Sequence, residues 1–395
     1  MKQNKIISTP LIIIILTVIV ISIIIVTAIL MNSDNKNTNN NEVNAIINEE
    51  FNNIVQEIKQ ENYEQYDEGI AKFKLPKVEV GVIAQQNSTI DANTPTFYNP
   101  VIPKGFRAIT NIQDSTIDEN AVWGEQNAYL YGLVIEDSNK NQFVWIPVEN
   151  MDLFKTVEWK KNEQAEIIDS TYIEPLDEEK EEYYKMYYKI KKYGGFYVGR
   201  YETGDVDATQ TRNETKNSDN IGIRKNLVVY NYVPYTKSTI NKREIIGAKE
   251  LTQKFIQNNS YETVTGSVMY GVQWDSMLRF IKSDTKNVND SIKWGNYPVS
   301  TLKFKDVYGN DYTKEANTNI FLLRAGSSEE TKAKNIYDIA GNLAEWTNET
   351  TKKNVNVARG GSYVSTISQL AAARYAYSSN TANNAIGFRI SFYIN

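Results

Sequence analysis

The sequence predicts a loop-rich α+β domain preceded by a transmembrane helix and a stalk. Three observations carry that expectation. Residues 11–30 form an uninterrupted run of apolar and small residues, enough to cross a bilayer core of about 30 Å as a helix. From about Asn99 onward, short apolar runs alternate with turn residues, and only a few stretches have helical periodicity. The 26 tyrosines and 6 tryptophans suit a domain whose long loops must be pinned by large side chains.

Charge orients the N-terminal segment. Lys2 and Lys5 precede the apolar run, while Asp34, Glu42, Glu49 and Glu50 follow it with only Lys36 opposing them nearby. The positive-inside bias assigns residues 1–10 to the cytoplasm and 11–31 to a signal anchor in the cell membrane, leaving the C-terminal domain outside the cell. The alternative is a cleaved signal peptide, which has a shorter apolar core and a small-x-small cleavage site that Thr27-Ala28-Ile29 only approximates. Residues 32–98 read as stalk and connector. Asn32 to Asn41 is low in hydrophobicity. Val43, Ile46, Ile47, Phe51, Ile54, Val55 and Ile58 recur at helical spacing, as either a short coiled coil or one amphipathic helix packed on the domain. Leu75 to Pro100, with three prolines, reads as an extended connector.

Within residues 99–395, Asn141 to Pro147 is a compact apolar strand. Asp177 to Lys192 is a solvated helix with Glu181 and Lys185 at i,i+4 spacing. Tyr193 to Glu202 is a second strand opened by a Gly-Gly turn. Lys242 to Asn258 and Gln273 to Ile281 read as helices, the latter with Trp274, Met277, Leu278 and Ile281 on one apolar face.

Composition removes whole classes of function. The 395 residues are 41% hydrophobic and 23% charged, ordinary for a chain that buries a large core. A net charge of -5 makes no case for nucleic acid, whose phosphates require basic patches. There is no Cys and no His. That excludes disulfides, thiolate and Ser-His-Asp catalysis, and zinc or iron held by Cys or His. Carboxylate, Lys, Tyr and oxygen-ligand chemistry remain, with Ca²⁺ the natural metal. Asp338, Glu345, Glu202 and Asp275 supply carboxylates, but nothing in their spacing supports a glycosidase pair.

The most specific stretch is Asn335-Ile-Tyr-Asp-Ile-Ala-Gly-Asn-Leu-Ala-Glu-Trp346, followed by Arg359-Gly-Gly-Ser-Tyr363 and Gly387-Phe-Arg389. Gly341-Asn342 is a turn dipeptide that places carbonyls inward just before Glu345. A carboxylate among loop carbonyls is a Ca²⁺ setting; the alternative is that Glu345 caps backbone donors or pairs with an arginine. Arg359 and Arg389 read as inward-facing ties between loops, with Gly360 and Gly361 permitting close backbone approach. Asn342 has a structural place in the same cassette, and Trp346 and Trp274 read as core.

In this order, and together with Phe143-Val-Trp-Ile-Pro147, Gly194 to Glu202 and Gly271-Val-Gln-Trp-Asp275, the cassette resembles the formylglycine-generating enzyme (sulfatase-modifying factor) family, from about Pro100 to Arg389. It is most similar to a bacterial and prophage-associated, non-catalytic branch. The resemblance implies a variant of the C-type lectin fold. It also implies Ca²⁺ bound by the Glu345 side chain and the carbonyls of Ala340, Gly341 and Leu343. The family's oxidase activity uses a cysteine pair that holds copper, and a related branch uses His-bound iron; this chain has neither residue type.

Between the fixed motifs, Val364 to Ile386 is rich in Ser, Asn, Ala and Tyr. In related domains this region is the exposed ligand surface, and its composition matches adaptable paratopes. Arg374, Tyr375, Tyr377, Asn380, Asn383 and Asn384 are the candidate contacts. The alternative is a polar loop of biased composition. The expected function is therefore a surface-displayed module recognising a glycan or protein. The alternatives are an enzyme of the sulfatase-modifying type, by family, and a structural surface protein without a discrete ligand.

Overall fold

The computed structural model describes residues 82–83, 97, 100–109, 132–159, 166–167, 175–208, 219–282, 286–318, 320–365 and 370–395. The chain divides into the units Met1–Lys77 and Val78–Asn395, and the account below concerns the second. The expected anchor at 11–31 and the helical pattern at 43–58 lie outside the described residues. Among the described residues no helix is long and apolar enough to cross a membrane. Part of the expected connector is described: Val82–Ile83 pairs antiparallel with Val101–Ile102.

The domain is strand-rich α+β with three α-helices among its described residues. Its principal elements are β1 (Phe106–Ala108), β2 (Val134–Asp137), β3 (Gln142–Pro147), α1 (Lys180–Tyr193), β4 (Gly195–Gly199), α2 (Ala248–Asn258), β5 (Val264–Val268), α3 (Gly271–Lys282), β6 (Ala344–Lys352), β7 (Val355–Arg359), β8 (Arg374–Ser378), β9 (Ile386–Phe388) and β10 (Ile390–Ile394). A six-stranded sheet runs in the order β5-β10-β4-β3-β2-β1, antiparallel throughout. A four-stranded sheet runs β8-β7-β6-β9. Its β6 and β9 are parallel and its other pairs antiparallel.

The larger sheet is covered on both faces, which explains why β3 and β4 are apolar runs rather than alternating ones. Phe143 and Trp145 of β3 and Tyr197 of β4 enter one core, with Leu251 and Phe255 of α2. Val144, Ile146, Phe196 and Val198 enter the other, with Met186 and Ile190 of α1 and Trp274, Met277 and Leu278 of α3. The period-two alternation of a strand divides each run between two cores.

Helix ends follow local chemistry. In α1, Glu181 and Glu182 occupy the first turn and Lys191 and Lys192 the last, each opposite the nearer end of the helix dipole. Gly194, in the left-handed region at φ 77, ends α1 by donating its N–H to the Ile190 carbonyl at 2.8 Å. The helix expected from Lys242 begins later. Asn241 and Lys242 have φ 50 and 64, the geometry of a two-residue hairpin turn, and Ser238–Ile240 pairs with Arg243–Ile245. α2 starts only after Gly247, where the Glu250 carboxylate accepts the Gly247 and Lys237 N–H groups at 3.1 and 2.9 Å.

Candidate functional site: a buried charged tie under the cassette

The register of the four-stranded sheet builds the site. Glu345 pairs with Arg359, and Arg359 with Arg374. These three residues therefore form one row across β6, β7 and β8, on a single face. α3 packs against β6 and brings Asp275 to that face. Arg359 donates from Nη2 to Asp275 Oδ1 at 2.8 Å and from Nη1 to Glu349 Oε2 at 3.1 Å. Arg374 donates from Nη2 to Asp275 Oδ2 at 2.6 Å and from Nε to Glu349 Oε1 at 2.7 Å. Two guanidiniums and two carboxylates thus close a balanced quartet. Asp275 also accepts the Val157 N–H at 3.0 Å and the Trp159 Nε1–H at 3.1 Å. Burial alone would push the Asp275 carboxyl up, but the Arg359 and Arg374 guanidiniums outweigh it and hold Asp275 below its ordinary value.

The quartet corrects one expectation. Arg374 is not on an open ligand surface: its side chain is 5% exposed, and its Nη1 also donates to the Val157 carbonyl at 2.7 Å. Strand alternation is the reason. Arg374 shares the inward row with Arg359, while Tyr375 falls on the opposite face.

A second buried network lies beside the quartet. Arg389 donates from Nη2 to Glu345 Oε1 at 2.7 Å and from Nε to Glu345 Oε2 at 3.0 Å. The same guanidinium donates to the Gly199 and Tyr337 carbonyls at 2.8 and 2.9 Å, joining both sheets to the cassette. Asn342 is the hub of the loop. Its Nδ2 donates to Glu202 Oε2 at 2.5 Å, and its Oδ1 accepts from Leu323 N and Asn296 Nδ2, each at 3.0 Å. Glu202 Oε1 accepts the Leu343 N–H at 3.0 Å. Asp338 accepts from Thr331 Oγ1 at 2.6 Å and from Gly326 N at 2.7 Å. Burial, followed by repulsion from Asp338 and Glu345, pushes the Glu202 carboxyl well above its ordinary value. Burial likewise raises Asp338 and Glu345.

The residues expected to hold Ca²⁺ do not fit that ion. Both Glu345 oxygens face the Arg389 guanidinium, which puts a positive charge where the ion's own would stand. The Ala340 carbonyl accepts the Asn296 N–H at 3.1 Å. Gly341 lies in a parallel bridge with Asn296. Leu343 presents its N–H to Glu202. Gly341 is at φ 71, and a Cβ there would run into the Asn296 carbonyl. Gly360, at φ 92, would bring a Cβ to 2.8 Å from the Ile339 carbonyl; Gly361 is also left-handed, at φ 71. The glycines let three backbone segments lie in contact. Trp346 is buried and donates its Nε1–H to the Val233 carbonyl at 2.8 Å.

The remaining surface candidates gather at one edge. Tyr375 and Tyr377 share a face of β8, the edge strand. Both are half-buried, and Tyr377 meets Trp346 edge-on at 6.1 Å between ring centroids. Asn380 is exposed. Asn383 is partly committed to its own turn, its Oδ1 accepting the Ala385 N–H at 2.9 Å. Asn384 donates from Nδ2 to the Tyr363 hydroxyl at 3.0 Å.

Glu349 and Asn296 complete these networks and were not singled out in the sequence. The even spacing from Glu345 to Glu349 along a strand is the only local signal for Glu349. Asn296 lies 46 positions from its partner Asn342 and has no local signal. Asp275 sits in a different network from Glu202, Asp338 and Glu345, which lie together, each buried and held by the internal partners named above.

Comparison with curated proteins finds no match. Three solved structures are similar at low identity. Treponema denticola variable protein 1 has 13% identity and TM-score 0.25, covering 40% of this chain and 54% of that one. CarF has 19% identity and TM-score 0.22, covering 33% and 48%. PvdO from Pseudomonas aeruginosa has 12% identity and TM-score 0.34, covering 67% and 98%. The chain spans about half the length of the first two. Residues 285–392 match the family model of the sulfatase-modifying factor enzyme 1-like domain, so the C-terminal part of this chain carries that domain.

Proposed function

We propose that this chain is a membrane-anchored extracellular binding protein whose sulfatase-modifying-factor-like domain, of C-type-lectin-like fold, recognises a glycan or protein and does not oxidise one. The observation that carries the reading is the division of labour around β8. At its first residue, Arg374, β8 is tied down by the Arg359–Arg374–Asp275–Glu349 quartet. Tyr375 and Tyr377 share the other face at a sheet edge, both half-buried and Tyr377 packed against the core, with exposed Asn380 in the turn that follows. Half-buried tyrosines held by a rigid sheet give contact area at low entropic cost, and the following asparagines add adaptable hydrogen bonds. The cassette acids have internal partners, and a chain with no Cys or His lacks the thiolates of the family's copper site. The apolar run at 11–31 supports the anchor.

Two assays on the purified chain test this reading. An oxygen-consumption assay with a cysteine-containing peptide is expected to show none above buffer. A glycan and protein array is expected to give a hit. Oxygen-dependent turnover would overturn the reading, as would an array without hits from a chain that unfolds cooperatively.

A further inference from the structure

A polar cavity of about 450 Å³ lies where the β2–β3 turn, the C-terminal end of α2 and residues 219–224 meet. It is remote in sequence from the cassette, and the proposed function makes no use of it. Five asparagines contribute to its walls: Asn139, Asn141, Asn220, Asn258 and Asn259. Several are already fixed in direction. Asn139 and Asn141 donate from Nδ2 to Asn259 Oδ1 at 2.8 and 3.4 Å, and Asn141 Oδ1 accepts the Ile223 N–H at 2.9 Å. Asn259 Nδ2 caps the Phe255 carbonyl at 2.8 Å. The last carbonyls of α2 are also satisfied by the N–H groups of Asn259, Ser260 and Tyr261. The negative end of that helix is therefore closed internally.

The charges lining the cavity leave one cation over. Lys140 is paired with Glu136 at 2.9 Å, and Asp219 with Lys254 at 2.7 Å. Arg224, a half-buried residue, also lines the cavity, and its guanidinium makes no ion pair or hydrogen bond among the described residues. Its Nε is buried and without a partner. An unsatisfied buried donor is costly, the more so when charged, so its retention calls for an explanation.

We propose that this cavity binds a small polyhydroxylated anion, an acidic saccharide unit whose oxyanion pairs with Arg224. A guanidinium matches a carboxylate or phosphate oxyanion through two parallel N–H donors. A carboxamide both donates and accepts, as a hydroxyl does. Asn141 and Asn259 spend their amides on internal bonds, so it is Asn139 and Asn258 whose carboxamides suit a polyol better than an apolar or purely cationic ligand. The volume falls in the range of small-molecule sites, roughly 300–1,000 Å³.

Titration calorimetry on the full-length chain tests this, with glucuronate, glucose 6-phosphate, glucose and inorganic phosphate as probes. Glucuronate or glucose 6-phosphate is expected to bind at least roughly tenfold tighter than glucose, the difference of one charge-assisted hydrogen bond. Whichever acid binds tighter identifies the oxyanion as carboxylate or phosphate. Arg224→Ala should abolish the preference for the acid, Arg224→Lys should retain part of it, and Asn139→Ala should weaken acid and neutral sugar alike. Joint substitution of Tyr375 and Tyr377 by Ala should leave these affinities unchanged, which separates this site from the β8 edge. The proposal fails if glucose and the acids bind equally, if Arg224→Ala changes nothing, or if a chain that unfolds cooperatively binds none of the sugars. Binding of inorganic phosphate alone, insensitive to Arg224→Ala, would also overturn it.

Discussion

Arg374 tests how the buried charges are read at the scale of single residues. It is one of two cations facing two carboxylates, all nearly or fully excluded from water. Removing one partner of a buried pair leaves an uncompensated charge and typically costs about 3–5 kcal/mol. Arg374→Ala and Arg359→Ala should each lower stability by about that amount in urea denaturation. A loss for Arg374→Ala within about 0.5 kcal/mol, the usual range for exposed positions, would return that side chain to the surface. Glu202 makes a pH prediction. Its carboxyl titrates well above its ordinary value because it is buried beside Asp338 and Glu345. Above the ordinary carboxylate range the folded state therefore holds a proton that the unfolded chain has lost. The associated stability is complete below that range and is lost as pH rises through the folded value. The urea midpoint should fall as pH rises above the ordinary carboxylate range, and Glu202→Gln should reduce that fall. An identical slope in the variant would remove Glu202 as the cause.

At the scale of elements, the Gly341-Asn342 turn and the segments it joins are the critical pieces. Gly341→Ala places a side chain in the left-handed region against the Asn296 backbone. Such strain costs of the order of 1–3 kcal/mol, and a thermal melt should show it, whereas Gly309→Ala, at φ 86 with open space around it, should lose less. Because Arg389 occupies both Glu345 oxygens, adding Ca²⁺ to chelator-treated protein should not shift the melting temperature. A shift that disappears in Glu345→Gln would place the ion there after all. Elements whose causes are local were readable in the sequence: β3 from its apolar run, the end of α1 from Gly194, and α3 from its apolar stripe. The hairpin at 238–245 was not, because Arg243 to Ile245 also fits a helical pattern and the left-handed Asn241-Lys242 turn decides between them.

At the scale of the whole molecule, the sequence carried the class of fold but not its wiring. Few helices, many short strands and abundant aromatics indicated a loop-rich α+β domain, and that is the architecture found. The order of the six-stranded sheet was beyond reach, since it places β10 between β4 and β5 and so joins the chain end to its middle. The site was legible where geometry is written locally, as in the glycines that bring Arg359 near Ile339. Partners at long range were not: Arg359 meets Asp275 across 84 positions and Asn342 meets Glu202 across 140. Register also decided which side of β8 carries Arg374 and which the two tyrosines, and single-residue composition does not encode register.

The central claim is that this domain recognises a ligand through Tyr375, Tyr377 and the turn after β8, a strand fastened at Arg374 by the charged quartet. The most direct measurement compares the purified chain with the joint Tyr375→Ala and Tyr377→Ala variant on one glycan and protein array, with thermal melts of both. The account predicts a hit that the variant loses while its cooperative unfolding is retained. A hit that survives the double substitution, or no hit from the folded wild-type chain, would contradict it.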